Sequence, residues 1–370
     1  MSERKVKFES NFSLDFDAAD QKRVYGFVYE NLENDVLRTQ LFYEIEIVLT
    51  DFGGYYAFEI DRKEIYINNQ TNYSQIEKIA NTASEAFFPI RVKLKRDGQI
   101  DQILNLNEIA KRWFIRRKKL LEYYKGEKAE KIISKIDELF LNDSILQESI
   151  TQNWFFHLFF KPLYISYSEK HSTKHIWKSP IFGNQYIEYG VVQRVQEDYS
   201  DDNKIIINVD GISIDERTID EILLGYSFSK SKFLETEAAF IESKLNVAYK
   251  LYENDRSISS VRGTFDTKID EKTNQRIEIE IYHLTEKSSD KPESDEKKRV
   301  FQQMYESWQT AEDEDIIDLS KPKWYVPSSP QYNIPKSTNE KIELFVGVGD
   351  DIKANQSFWD WVKSIFTKKR

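Results

Sequence analysis

Hydrophobic and polar residues alternate along two separate stretches of the chain, on either side of a block with helical spacing. The longest alternating run near the N-terminus covers residues 5–17, where only Ser10 interrupts the apolar face. Its apolar members are Val6, Phe8, Phe12, Leu14 and Phe16. A period of two over this length predicts a half-buried strand. Further strands are predicted at 24–29, 40–49, 55–60 and 64–68, with a turn at 51–54.

The middle of the chain carries apolar residues at helical spacing. A first helix is predicted over 73–87, with Asn72 as its cap. Two more are predicted over 107–124 and 127–141, divided at Gly126. A further helix is expected to begin at Asp143 or Ser144, where Ser144 and Gln147 fit a capping box, and to end near Pro162. Between the first two helices, Asp97-Gly98 follows an alternating run and predicts a hairpin.

Strand patterns return after residue 184. Strands are predicted at 186–197, 204–209, 238–252, 257–269 and 276–284. Turns are predicted at Asp210-Gly211 and over 270–275. Two blocks of strands around helices predict an α+β fold: a largely antiparallel sheet with a central helical block. We assign this body to residues 1–285.

The sequence changes in character beyond this body. Residues 286–298 are charged and poor in apolar groups, which predicts a linker. Residues 299–341 hold a pattern for a short helix and then half of the eight prolines, which predicts an extended segment. Residues 342–370 form a predicted docking segment, so the fold is expected to end in an extended tail with a short amphipathic helix.

The C-terminal segment has the sharpest apolar pattern in the chain. Its stripe, at helical spacing, consists of Phe358, Trp361, Val362, Ile365 and Phe366. Trp359 flanks the stripe, and Lys368, Lys369 and Arg370 follow it. A helix this short is marginal in water and needs a surface on which to dock. That surface is the chain's own body, a protein partner or a membrane surface.

Composition removes several classes of function. The chain of 370 residues has a net charge of −10, which argues against nucleic-acid binding because that requires a surplus of Lys and Arg. The absence of cysteine removes disulfides and thiolate metal sites. No apolar leader or membrane-spanning run is present, so a cytoplasmic location is expected, with export that needs no cleaved signal left open.

Few residues suggest chemistry. His157 fits a core position, whereas His171 and His175 are four apart and could chelate a metal if helical. Arg117 falls on an otherwise apolar helix face, so it either snorkels, forms an internal ion pair or lies at a contact surface. No catalytic, metal-binding or cofactor-binding motif stands out, and no cofactor is expected.

The sequence therefore predicts a non-enzymatic interaction protein: an adaptor, a chaperone or a structural component of a larger assembly. A protein partner is expected to contact the C-terminal stripe, the flanking Trp359 and, on the second predicted helix, Arg117. The alternative is a carrier that holds a hydrophobic small molecule or lipid in a curved antiparallel sheet. The many aromatic residues could line such a cavity, but they would equally fill an ordinary core.

Overall fold

The computed structural model describes residues 4–288 except 10–11, 19–20, 53–54, 69–74, 184 and 235–238. The predicted cap at Asn72 lies outside the described residues. So do the linker from residue 289 onward, the proline-rich segment and the C-terminal docking segment.

Eleven antiparallel strands form one sheet in the described part of the chain. The strands are β1 (Gln21–Glu33), β2 (Val36–Asp51), β3 (Tyr56–Ile67), β4 (Ile90–Leu94), β5 (Ile100–Ile103), β6 (Ser172–Phe182), β7 (Gln185–Val195), β8 (Lys204–Ser213), β9 (Glu242–Tyr252), β10 (Ile258–Lys268) and β11 (Asn274–His283). Their order is β5-β4-β3-β2-β1-β11-β10-β9-β8-β7-β6. Each half is a meander, and the halves join where β1 pairs with β11. The predicted, largely antiparallel sheet with a central helical block is thus confirmed.

Seven helices accompany the sheet in the same part of the chain. They are α1 (Gln75–Phe87), α2 (Leu106–Tyr123), α3 (Glu127–Phe140), α4 (Asp143–Gln152), α5 (Trp154–Phe159), α6 (Ile219–Leu223) and α7 (Lys230–Phe233). α5 is buried between the other helices and the sheet, with Phe155 and Leu158 fully enclosed. Tyr249 of β9 donates a hydrogen bond to the Leu158 carbonyl at 3.0 Å. The core is therefore one continuous cluster shared by sheet and helices.

The predicted strand at 5–17 is wrong. The described residues of this segment make isolated bridges rather than a strand, from Lys5 to Asp198 and from Ser13 to Ser166. Phe12 has a φ of 55°, which no extended strand allows. Val6 and Leu14 are nevertheless buried. The alternating pattern therefore correctly indicates burial, although the segment does not form a strand of the sheet.

The predicted long helix from residue 143 to Pro162 is two helices. Asn153 has an extended backbone (ψ 134°) between α4 and α5, and its side chain accepts from the Phe155 N–H at 3.0 Å. The cap of α4 is Asn142, which accepts from the Ile145 N–H, and the predicted capping box at Ser144 is wrong.

The second block of strands also needs correction. β6 was not predicted, and neither were α6 and α7. Asp210-Gly211 does not form a turn, because both residues lie inside β8. A Cβ on Gly211 would approach the Val191 side chain to 2.6 Å, so this glycine allows close packing between strands. The predicted runs 55–60 and 64–68 form the single strand β3.

Candidate functional site

Exposed apolar side chains gather around the connection between β8 and β9, residues 214–241, which we call the β8–β9 connection. With two residues on the neighbouring strands they form what we call the apolar surface. Its members are Ile176, Ile212, Ile214, Leu223, Leu224, Phe228, Phe233, Leu234 and Phe240. Phe233 is 82% exposed, the highest value among them. Large groups of exposed apolar residues mark interaction sites.

The sheet positions part of this surface. Gly190 of β7 pairs with Ile176 on one side and with Ile212 on the other, so the three residues form a row on one face. A Cβ on Gly190 would lie 3.1 Å from the Ile214 side chain, which therefore covers the glycine. The small residue lets three isoleucines meet on the outer face of the sheet.

A buried ion pair fixes the β8–β9 connection to the sheet. Arg217 donates to both carboxylate oxygens of Asp215, at 2.8 and 2.6 Å, and its side chain is 13% exposed. It also donates to the carbonyls of Tyr186 and Tyr226, at 2.6 and 2.8 Å. The hydrogen bonds to Asp215 raise the pKa of Arg217. Because Tyr186 belongs to β7, this arginine joins the connection to that strand.

A buried carboxylate organises the two short helices of the connection. Thr218 and Glu221 form a capping box at α6. Glu221 also accepts from the N–H and hydroxyl of Ser231 in α7, at 2.6 and 2.8 Å. Burial opposes the charged form of Glu221, but these hydrogen bonds outweigh it and lower its pKa to about 2. The connection thus encloses Asp215 and Glu221 beside buried Ile222, while several of its large apolar side chains remain exposed.

The surroundings of the apolar surface are acidic. Residues 210–242 contain eight Asp or Glu and three Lys or Arg, a net charge of −5. Glu216 pairs with Lys232 at 2.5 Å and Glu242 pairs with Lys268 at 3.5 Å, and exposed Asp210 and Asp220 then outnumber exposed Lys230. A basic, apolar ligand fits this surface better than an acidic one.

An open cleft of about 640 Å³ continues from Ile212 across the strand ends. Within this cleft Arg276 contacts Asp266 at 2.6 Å and Asp35 at 2.8 Å, and Lys268 contacts Glu242 at 3.5 Å. A second cavity, lined by aromatic side chains such as Tyr25, Phe58 and Phe159, has a volume of about 30 Å³. That volume suits a water molecule rather than a lipid.

Arg117 forms an internal ion pair, which is one of the three roles that the sequence allowed for this residue. Its Nε lies 2.7 Å from both carboxylate oxygens of Asp137 on α3. The Trp113 indole N–H donates to the same carboxylate at 2.8 Å. Burial raises the pKa of Asp137 in spite of these bonds. Arg117 therefore joins α2 to α3, and its contact with a partner stays a prediction.

Arg117→Met is expected to destabilise the fold by about 2 kcal/mol, because the buried Asp137 carboxylate loses its cation. Urea denaturation would measure the change in the free energy of unfolding. Lys131→Met serves as the control, since Lys131 pairs with Glu127 on the exposed face of α3. Equal stability of the two variants would show that the Arg117 pair contributes nothing.

The positions of the histidines differ from those that a metal site would require. His171 precedes β6 with a φ of 50°, and His175 lies within β6, so the helical spacing needed for chelation is absent. His157 is buried, with its Nε2 at 3.3 Å from Ser179 Oγ, and burial lowers its pKa. Across the described ranges, no group of three His, Asp or Glu side chains has a metal-binding arrangement.

Sequence reasoning missed the polar group beside these histidines. Lys161 Nζ lies 4.0 Å from the centre of the Trp177 ring, and burial lowers its pKa to about 7. Trp177 donates to Ser179 at 2.9 Å. His175 stacks on the same indole, and its Nε2 is buried without a hydrogen-bond partner in the described part of the chain. The lysine follows α5 and belongs to no charged pattern, so the sequence alone gave no signal for it.

The predicted partner-binding stripe and the apolar surface come from different parts of the chain. Phe358, Trp359, Trp361, Val362, Ile365 and Phe366 lie outside the described residues. The apolar surface was missed because its residues follow neither a helical nor a strand period. The available signal was a group of large apolar residues among Gly, Ser and Lys at 223–234.

None of the helices in the described ranges combines the length and hydropathy needed to cross a membrane. No protein-family model matches the chain. No curated protein matches it either. Among solved structures it is similar to one of lipovitellin, described as lipid–protein interactions in lipovitellin. The match has 10% identity and a TM-score of 0.39, and it covers 75% of this chain and 26% of that one. The chain spans about a quarter of the length of that structure.

Proposed function

We propose that this chain is a non-enzymatic interaction protein, an adaptor, chaperone or structural component of a larger assembly. The observation that carries the proposal is the apolar surface, presented outward by a connection that the buried Asp215, Arg217 and Glu221 hold in place. A mobile loop that happened to contain leucine and phenylalanine would not need the buried pair of Arg217 and Asp215. The architecture instead holds apolar side chains in fixed positions in water.

The energetics of burial support a protein partner. Covering one large apolar side chain contributes about 1.5–3 kcal/mol. Phe233 and Leu224 are 82% and 69% exposed, so most of this energy is not used within the described part of the chain. A partner that covers several of these side chains can recover it, and large central anchors dominate the affinity of such interfaces.

The C-terminal stripe supplies a second element for the same role. Its three largest anchors are Phe358, Trp361 and Phe366, and aromatic anchors are enriched at protein interfaces. A surface and a tail on one chain engage an assembly with higher avidity than either alone. We therefore assign the tail a docking role, as the sequence predicts.

A carrier of a hydrophobic molecule is the alternative function. It would require an enclosed, aromatic-lined cavity of about 300 Å³ or more. The cavity lined by Phe58 and Phe159 encloses about 30 Å³, so it gives the carrier no support.

The Trp361→Ala/Phe366→Ala variant tests the proposal. We expect affinity capture from native lysate to lose the proteins that wild type retains, while the melting temperature stays within about 2 °C, because the removed side chains serve a contact rather than the core. Quantitative mass spectrometry of the captured proteins is the measurement.

The matched control is Ile115→Ala/Tyr123→Ala, which removes two exposed apolar side chains of α2 outside the apolar surface. It should retain the same proteins as wild type. Identical capture by all three chains would refute the interaction role of the tail. A fall in melting temperature with capture intact would mean that the tail only completes its own fold.

A further inference from the structure

We infer that the C-terminal tail is itself a ligand of the apolar surface, and that it covers this surface when no partner is bound. The inference rests on the proposed function and adds its regulation: the partner competes with a segment of the same chain. The described residues define the apolar surface. We identify its occupant by matching apolar content, by opposite net charge and by the length of chain that connects the two.

The apolar content of the two elements matches. The surface offers isoleucines on the sheet and leucines and phenylalanines on the β8–β9 connection. The tail offers a stripe of similar extent, with Trp361 and Val362 near its centre. An amphipathic segment that lays its apolar stripe on such a surface is a recurring mode of recognition.

The charges of the two elements are opposite. The part of the docking segment that carries the stripe, residues 353–370, has five Lys or Arg and one Asp, a net charge of +4, whereas the whole segment 342–370 has a net charge of +1. Residues 210–242 carry a net charge of −5. Opposite net charges steer association and disfavour wrong partners. The same charges argue against a second acidic surface of another copy as the occupant.

The length of the chain allows the contact. Ser288 lies beside Val24 and His283, at the end of the sheet where β9 finishes. The β8–β9 connection enters β9 at its other end, and a strand of 11 residues spans roughly 35 Å. The roughly 70 residues between Ser288 and Phe358 would span about 105 Å even as a continuous helix, at 1.5 Å per residue. The tail therefore reaches the surface without strain.

Tethering makes even a weak contact sufficient. In the tethered arrangement that we infer, the local concentration of the tail at the apolar surface would be on the order of 1 mM. A tail with a dissociation constant near 0.1 mM would then cover the surface in about nine molecules of ten. Displacing the tail would cost a partner about tenfold in affinity at the apolar surface, and the released tail would then add its own contacts to the same partner.

Disulfide trapping in the full chain tests the inference, because the chain contains no cysteine of its own. One variant combines Leu234→Cys with Val362→Cys. The control combines Lys95→Cys with Val362→Cys. Lys95 is exposed in the β4–β5 turn. There the Tyr164 N–H donates to the Asp97 carbonyl, and the Tyr164 hydroxyl donates to the Arg256 carbonyl beyond the far end of β9.

We expect the first variant to form an intramolecular disulfide at least tenfold faster than the control under a mild oxidant at micromolar concentration. A non-reducing gel separates this product from a dimer. Adding Trp361→Ala and Phe366→Ala should reduce the rate to that of the control. Equal rates in the two cysteine pairs, or a product that is only dimeric, would overturn the inference.

The two proposals fail in distinguishable ways. If capture depends on the tail but no intramolecular disulfide forms faster than in the control, the tail serves the partner alone and only the self-contact is wrong. If the disulfide forms rapidly but the tail variant captures the same proteins as wild type, the self-contact holds and the interaction role is wrong.

Discussion

Arg217→Met is expected to release the β8–β9 connection from the sheet. Asp215 is 5% exposed and would remain as a buried carboxylate without its cation, which costs about 3–5 kcal/mol. The carbonyls of Tyr186 and Tyr226 would also lose their donor. Hydrogen exchange should show loss of protection across residues 214–241, while the strands β1 and β11 keep theirs.

The control for this prediction is Lys232→Met. Lys232 pairs with Glu216 at the surface, where both side chains are more than half exposed, so the expected cost is below about 1 kcal/mol. Both substitutions remove one positive charge from the same connection. If the two variants exchange alike, burial of the Arg217 pair does not hold the connection, and the scaffold argument for the apolar surface fails.

The strands that the sequence predicts well are those with one wet and one buried face. In β11, Ile277, Ile279 and Ile281 are buried and alternate with glutamates. Its neighbours on both sides are strands, so the pattern along the chain and the environment in the sheet agree. The hairpin at Asp97-Gly98 was predictable for a similar reason, because Gly98 adopts the φ of 93° that the turn requires.

The edge of the sheet formed by β6 was not predictable from the same pattern. β6 is the last strand in the order, and only one of its sides is paired. Lys174 and Lys178 are exposed, and Pro180 lies within the strand. Charged residues and proline protect an edge from pairing with other chains, but they also remove the strand signal from the sequence.

The apolar surface escaped prediction for a physical reason. Pattern analysis assumes that apolar residues face the core, and the β8–β9 connection reverses that rule. Beside buried Ile222, its interior also holds the charged side chains of Arg217 and Glu221, which their residue types would assign to solvent. Only the structure shows that these two charged groups are enclosed while Phe233 is not.

The same substitution, phenylalanine to alanine, should have different effects on stability in the core and on the apolar surface. Phe155→Ala removes a side chain that is 0% exposed in α5 and stacks on Phe159 at 5.0 Å between ring centres. The cavity left behind should cost about 3–5 kcal/mol. For a domain of this size that corresponds to a fall in melting temperature of roughly 10 °C.

Phe233→Ala removes the same atoms from a position that is 82% exposed, and the expected change in stability is within about 0.5 kcal/mol. Thermal denaturation of both variants in the full chain measures the contrast, and affinity capture should be weakened by Phe233→Ala alone. A loss of stability at Phe233 as large as that at Phe155 would show that the β8–β9 connection belongs to the core. The apolar surface would then no longer be available to a partner, because its side chains would already be covered from within.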